Sequence, residues 1–204
     1  GAGGAAFVIG PAEESLAEAV HMYEALLPKH PDHVRLYVDA GKAISRYADT
    51  LLHRGKLDAA QAALQKGVRW LREARMDVPP EWLETRSMLR LNFAGLLGER
   101  GQRAAAEAEL AAVASELAAL ALHPKFELAV LRAREKACSQ RAYLRDPLLE
   151  KDAIVREGAE ALALARQLHE RNPDNALDTR ELIERLDTCA TVLSKHGRFD
   201  EADH

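Results

Sequence analysis

Residues 47–64 read YADTLLHRGKLDAAQAAL, and residues 93–110 read FAGLLGERGQRAAAEAEL. Laid over each other, the stretches match Tyr47 with Phe93, Ala48 with Ala94, Leu51 with Leu97 and Gly55 with Gly101. Beyond the glycine, Ala60 meets Ala106 and Leu64 meets Leu110, with Gly67 and Val113 further on. A third stretch, CATVLSKHGRFDEA at 189–202, repeats the start with Cys189, Ala190, Leu193, Gly197 and Ala202. The step is 46 residues from Gly55 to Gly101 and twice 48 from there to Gly197. Each column has a physical demand behind it. A small residue stands where two helices touch, larger ones pack beside it, and glycine stands where the chain reverses.

The rest of the chain punctuates in the same way. Pro11 with Glu13 and Glu14 opens a first helix, whose apolar stripe is Leu16, Ala19, Val20, Tyr23, Leu26 and Leu27. Lys29-His30-Pro31 stops it, and Asp32 is the expected cap of a helix running to about Arg54. Further helices are expected at about 57–76, 80–100, 102–121, 125–145, 148–171 and 175–196. No window alternates with period two, so the expected fold is all-α with eight helices. Trp70 and Trp82 flank the longest connection and are expected to staple helices 57–76 and 80–100 together. The helix at 125–145 fits the columns least, and Asp146-Pro147 in the glycine place predicts a distorted turn. Residues 1–11, with GAGGAAFVIG at their start, read as a flexible leader or cloning remnant, and 12–204 as one repeat domain. The glycines of the leader lack the preceding strand and following acid of a dinucleotide site. Phe7-Val8-Ile9 is an apolar stretch able to dock on a helix.

Composition agrees and excludes several classes. The 204 residues are 48% hydrophobic and 29% charged, with 38 alanines and 5% aromatics, a long-helix composition that disfavours a sandwich or barrel. No apolar run approaches the roughly 18 residues of a membrane span. A pI of 6.1 argues against nucleic acid as the main ligand. Two cysteines, Cys138 and Cys189, suit a reducing compartment, and a cytoplasmic location is expected. The net charge of −4 hides a basic block: residues 41–75 hold eight Lys and Arg against three Asp and Glu. Such a block suits an acidic peptide or is simply a solvated helix face.

The columns resemble the tetratricopeptide repeat, a helix-turn-helix unit with a large-small pair and a Leu on helix A and small residues on helix B. Helix-B halves closed by proline occur at Ala19, Tyr23, Leu26 and Pro31, and at Ala161, Ala165, Leu168 and Pro173. The likeness spans nearly all of 12–204, with a period of 46–48 instead of about 34. Residues 168–176, 180–182 and 193–202 are similar to long-period arrays attached to bacterial serine/threonine kinases. This chain carries no kinase motif. An excised piece of a larger protein is therefore expected.

The resemblance implies a right-handed superhelical solenoid whose helix-A faces line a groove. The groove candidates are Lys42, Arg46, Asp49, Met88, Asn92, Glu184 and Thr188, with Ser45, His53, Leu91, Gly95, Asp187 and Thr191 beside them. Lys42 and Arg46 stand one turn apart, and Asn92 can offer its amide to a peptide backbone. The expected ligand is a protein or peptide, with an acidic or C-terminal carboxylate element. The expected role is a non-catalytic interaction scaffold. The alternative is a regulatory or oligomerising segment of a bacterial signalling enzyme such as a serine/threonine kinase, with a homodimer as its assembly. His30 and His33 read as cap residues, and no metal or cofactor is expected. Cys138 and Cys189 read as core. Carboxylates such as Glu13-Glu14 lie at solvated helix ends, and no nucleophile motif appears.

Overall fold

The computed structural model describes residues 9–73, 80–145 and 149–195, except for the side chains of 9–11, 73, 177, 181 and 189–195. Every regular element among the described residues is a helix: α1 Ile9–Leu26, α2 Val34–His53, α3 Leu57–Glu73, α4 Pro80–Glu99, α5 Arg103–Leu120, α6 Glu127–Leu144, α7 Lys151–Arg171 and α8 Ala176–Lys195. Short 3-10 turns at Leu27–Lys29 and Pro124–Phe126 follow α1 and precede α6. Contacts divide the chain into two compact units, residues 1–96 and 97–204. Neighbouring helices pack together: α1 with α2 and α2 with α3 in the first unit, α5 with α6, α6 with α7 and α7 with α8 in the second.

The glycine columns produce two copies of one helix stop. Gly55 and Gly101 both take φ +69°, the left-handed region where a Cβ is strained. Gly55 N–H donates to the Leu52 carbonyl at 2.8 Å and Lys56 N–H to Leu51 at 2.9 Å. Gly101 N–H donates to Gly98 at 2.9 Å and Gln102 N–H to Leu97 at 2.8 Å. This paired pattern satisfies carbonyls that a helix end otherwise leaves bare. The column leucines Leu51 and Leu97 thus serve twice, as buried side chains and as the carbonyls that close the turn. The cap of α2 differs from expectation. His33, not Asp32, holds it, its Nδ1 accepting from Leu36 N–H at 3.2 Å.

Small residues let helices approach. Ala48, Ala60, Leu64 and Ala106 are sealed from solvent, with Leu51, Phe93, Ala94, Leu97 and Leu110 also buried and Tyr47 half-buried. The side chains of Cys189, Ala190 and Leu193 lie outside the described residues, as does Gly197. At Gly41 a Cβ would fall 2.6 Å from Thr85 Cγ2, so α2 and α4 touch at a point with no room for a methyl group. Gly67 does the same for α3 and α2, a Cβ there falling 2.7 Å from Ile44 Cγ2. Trp82 joins three helices. Its ring stacks on Tyr37 of α2 with centroids 5.2 Å apart, and its Nε1–H donates to the Leu71 carbonyl of α3 at 3.1 Å. Trp70 is buried, but the aromatic partner of Trp82 is Tyr37.

In the second unit Leu131, Cys138, Ala161, Leu164 and Leu168 form one apolar cluster. The α6 helix ends at Leu144 with Arg145 extended, and residues 146–148, where a distorted turn was expected, lie outside the described set. So do residues 1–8, while α1 already begins at Ile9, two residues before the Pro11 expected to open it.

Candidate functional site

The repeat reappears in the side-chain bonds between helices. Asn92 Nδ2 donates to Ser45 Oγ at 3.0 Å, 47 residues apart. Arg132 donates to both carboxylate oxygens of Asp178 at 2.9 and 2.7 Å, 46 apart. Arg103 donates to Glu150 at 2.6 Å, again 47 apart. A bond at the sequence period links equivalent places on successive helices, as stacked helix pairs require.

The expected groove residues fall as follows. Lys42, Arg46 and Asp49 are exposed on α2, in a stripe that runs Arg35, Asp39, Lys42, Arg46, Asp49, His53. Arg35 and Asp39 pair within that stripe at 2.9 Å. Met88 and Asn92 are half-buried on α4. Asn92, expected to present its amide to a ligand, donates to Ser45 instead and ties α4 to α2. Glu184 and Thr188 are exposed on α8 in the second unit. Glu184 accepts from Arg180 at 2.8 Å, and the Thr188 hydroxyl donates to the Glu184 carbonyl at 2.7 Å.

The basic block has a partner inside the chain. Glu13 of α1 accepts from Arg54 and Lys56, and Glu24 of α1 accepts from Lys66 at 2.9 Å. The hydrogen bond from Lys56, with Arg54 beside it, holds the Glu13 carboxyl below its ordinary range. Lys42 and Arg46 of α2 are exposed and form no ion pair among the described residues, and the same holds for Arg69 and Arg72 of α3.

Between α6 and α8 the pairing is buried. Asp178 is fully covered, held by Arg132 and by Asn172 Nδ2 at 3.3 Å. The Arg132 guanidinium above all, with Asn172, lowers its carboxyl below the usual 3.8. Asn175 Oδ1 accepts the Asp178 N–H at 3.3 Å and so caps α8. One turn along α6, buried Glu135 accepts from Ser139 at 3.0 Å and from Arg185 of α8. Charges of opposite order on two facing helices fix their register. The sequence reading missed this pair of ion pairs, although opposite charges one period apart were its available signal.

Cys138 is 1% exposed, and burial pushes its thiol up to about 11. No group of three or more His, Cys, Asp and Glu able to hold a metal ion occurs among the described residues, and no helix there is long and apolar enough to cross a membrane.

These features define the class: an all-α, helical repeat-like protein built of adjacent packed helix pairs, compatible with a solenoid. No protein-family model and no curated protein matches the sequence. Among solved structures, the crystal structure of BtubC (BKLC) from P. vanneervenii is similar, with a TM-score of 0.52 at 14% identity over 96% of this chain and 87% of that chain. At that identity the likeness speaks for the helical fold.

Proposed function

We propose that the chain is a non-catalytic, tetratricopeptide-like interaction scaffold whose α2 helix-A face binds an acidic segment of another protein. The observation that carries this reading is the pair Lys42 and Arg46. Arg54, Lys56 and Lys66 of the basic block are paired with α1, whereas these two stand one turn apart on α2, between Asp39 and Asp49, and form no ion pair among the described residues. Two cations at that spacing match carboxylates one helical turn apart, or a C-terminal carboxylate next to an acidic side chain. Long flanking helices hold them in place without a mobile loop.

The test is a charge reversal. Lys42→Glu with Arg46→Glu should abolish capture of the acidic partner and leave helicity and melting unchanged, because both side chains are exposed. Wild-type binding by the reversed variant rejects the assigned face. A second reading is favoured by Ile183 and Leu186, which are 61% and 41% exposed on α8. In it the chain is the oligomerising, regulatory segment of a larger bacterial signalling enzyme such as a serine/threonine kinase. Light scattering separates the two: a concentration-dependent dimer lost on Ile183→Glu supports the second, and a monomer at all concentrations rejects it.

A further inference from the structure

A second surface lies in the 97–204 unit. A cavity of about 380 Å³ opens over α6, with Ala114 and Ala118 of α5 on one wall and Glu160 of α7 on the other. That volume accommodates a few side chains. A second cavity of about 310 Å³ shares Ala114 and Arg141 with it, so the two form one groove along α5. From Glu107 to Ala121 the groove follows α5 for about 21 Å, at 1.5 Å per residue.

The polar groups of the main cavity are unequally served. It is lined by two guanidiniums, Arg134 and Arg141, and one carboxylate, Glu160. Elsewhere in the unit arginines meet carboxylates closely: Arg132 grips Asp178, and Arg145 donates to both oxygens of Glu157 at 3.4 and 2.9 Å. Arg134 instead stands 3.7 Å from Glu160, and Arg141 stands 3.9 Å from the Glu157 that Arg145 already holds. Both distances exceed hydrogen-bond reach. The Nε of Arg141 is buried with no hydrogen-bond partner, while its Nη2 donates at 3.1 Å to the Cys138 sulfur, a weak acceptor. The Arg141 side chain as a whole is 35% exposed, so an incoming carboxylate can reach its outer nitrogens and supply the close charge-assisted bond that Glu157 does not give.

We infer that this groove is a docking site for a protein segment that lays small apolar residues on Ala114 and Ala118 and presents a carboxylate side chain to Arg141, with Arg134 as the second contact. Arg134 and Arg141 are seven residues apart on one helix, about 10.5 Å along its axis. A partner helix with acidic residues seven apart matches that spacing, and a close approach is open because the α5 wall is alanine. Glu160 makes the site selective, since it repels a segment whose acid points toward α7. The surface is independent of Lys42 and Arg46, so either site stands if the other fails.

The test uses the full chain labelled with ¹⁵N and three probes. One is an amidated sixteen-residue helix of Ala, Leu and Ser with Glu at positions 4 and 11. The second is the same helix with Gln at both places, and the third is hexanoate alone. The Glu helix should shift the amide resonances of Ala114, Ala118, Cys138 and Arg141, and bind at least tenfold more tightly than the Gln helix. Arg141→Gln should weaken it at least tenfold at unchanged helicity. Ala114→Leu, which adds bulk at an exposed position and leaves the core alone, should do the same. Lys42→Glu with Arg46→Glu should change nothing. Equal binding of the two helices overturns the proposal, as do resonance shifts confined to other residues. Hexanoate binding as tightly as the Glu helix overturns it in favour of a small-carboxylate pocket.

Discussion

Gly41→Ala puts the helix contacts of the first unit to the test, because two ordinary rules give opposite signs for it. In an exposed helix, replacing glycine by alanine stabilises by about 1 kcal/mol. At Gly41 the new methyl carbon would fall 2.6 Å from Thr85 Cγ2, with Leu71 Cδ1 and Leu89 Cδ1 at 3.5 Å on other sides. Thr85 is 5% exposed, and its hydroxyl donates to the Glu81 carbonyl at 2.9 Å. Turning Cγ2 away moves that hydroxyl off its acceptor and leaves a buried polar group unpaired, at about 1–3 kcal/mol. Keeping the rotamer forces α2 and α4 apart, and overpacking of this kind costs about 1–3 kcal/mol. Against the propensity gain of about 1 kcal/mol, the middle of either range leaves a net loss of about 1 kcal/mol. Trp70 and Trp82, the chain's two tryptophans, both lie in the first unit, so urea unfolding followed by their fluorescence reports on this contact. Thr85→Ser removes the clashing methyl and keeps the hydroxyl, and in a double-mutant cycle it should couple to Gly41→Ala by more than about 1 kcal/mol. Gly158 is the control: a Cβ there meets nothing within 4 Å, and Gly158→Ala should stabilise by up to about 1 kcal/mol. A Gly41→Ala protein as stable as wild type, or a coupling below about 0.5 kcal/mol, refutes the close approach of α2 and α4.

Gly55→Ala and Gly101→Ala should each lose about 1–2 kcal/mol from left-handed strain, with Gly55→Asn losing less, as measured by urea midpoints. Asp178→Asn should cost about 2 kcal/mol at pH 7, since Arg132 keeps its charge without its partner. The Asp178 carboxyl is lowered by folding, so its contribution is present above 3.8 and lost as pH falls through the lower folded value; the deficit of the variant should therefore shrink toward pH 2. A deficit constant from pH 7 to 2 counts against the pairing. Cys138 has the opposite sign. Its thiol rises from 9.0 to about 11 on folding, so wild-type stability should fall by about 2–3 kcal/mol between those pH values relative to Cys138→Ala. Parallel pH profiles for the two proteins would contradict that burial effect.

The helix order was legible because period, proline and glycine act locally. Gly55 and Gly101 end helices in the expected left-handed conformation, and the pattern of small residues marks buried positions such as Ala48 and Ala60. The cap at His33 was not legible, since an imidazole nitrogen replaces the more common Asp32 oxygen one residue earlier. The surface was harder to read. Lys42 and Arg46 stand exposed, but whether a basic block faces solvent or another helix depends on which acids fold onto it, and Glu13 and Glu24 lie about forty residues away. Asn92 shows the same limit: a polar residue on helix A serves a ligand or the next helix depending on the turn of the helix, and here it meets Ser45. The Arg141 groove left no linear trace, because alanines of α5 and arginines of α6 become one wall only after packing.

The bonds that recur at 46 and 47 residues set terms for how such a chain can change length over evolution. One residue inserted within α6 after Arg132 turns the remaining helix by about 100°, carrying Glu135 away from Arg185 while Arg132 stays with Asp178. Two ion pairs on the same helix pair then demand incompatible rotations. Deletions inside a helix meet the same conflict. A residue added in a connection between helices leaves the rotation of the helix on either side unchanged. Among descendants of this sequence, single-residue insertions and deletions should therefore collect at the turns, and changes in helix number should come in whole repeats.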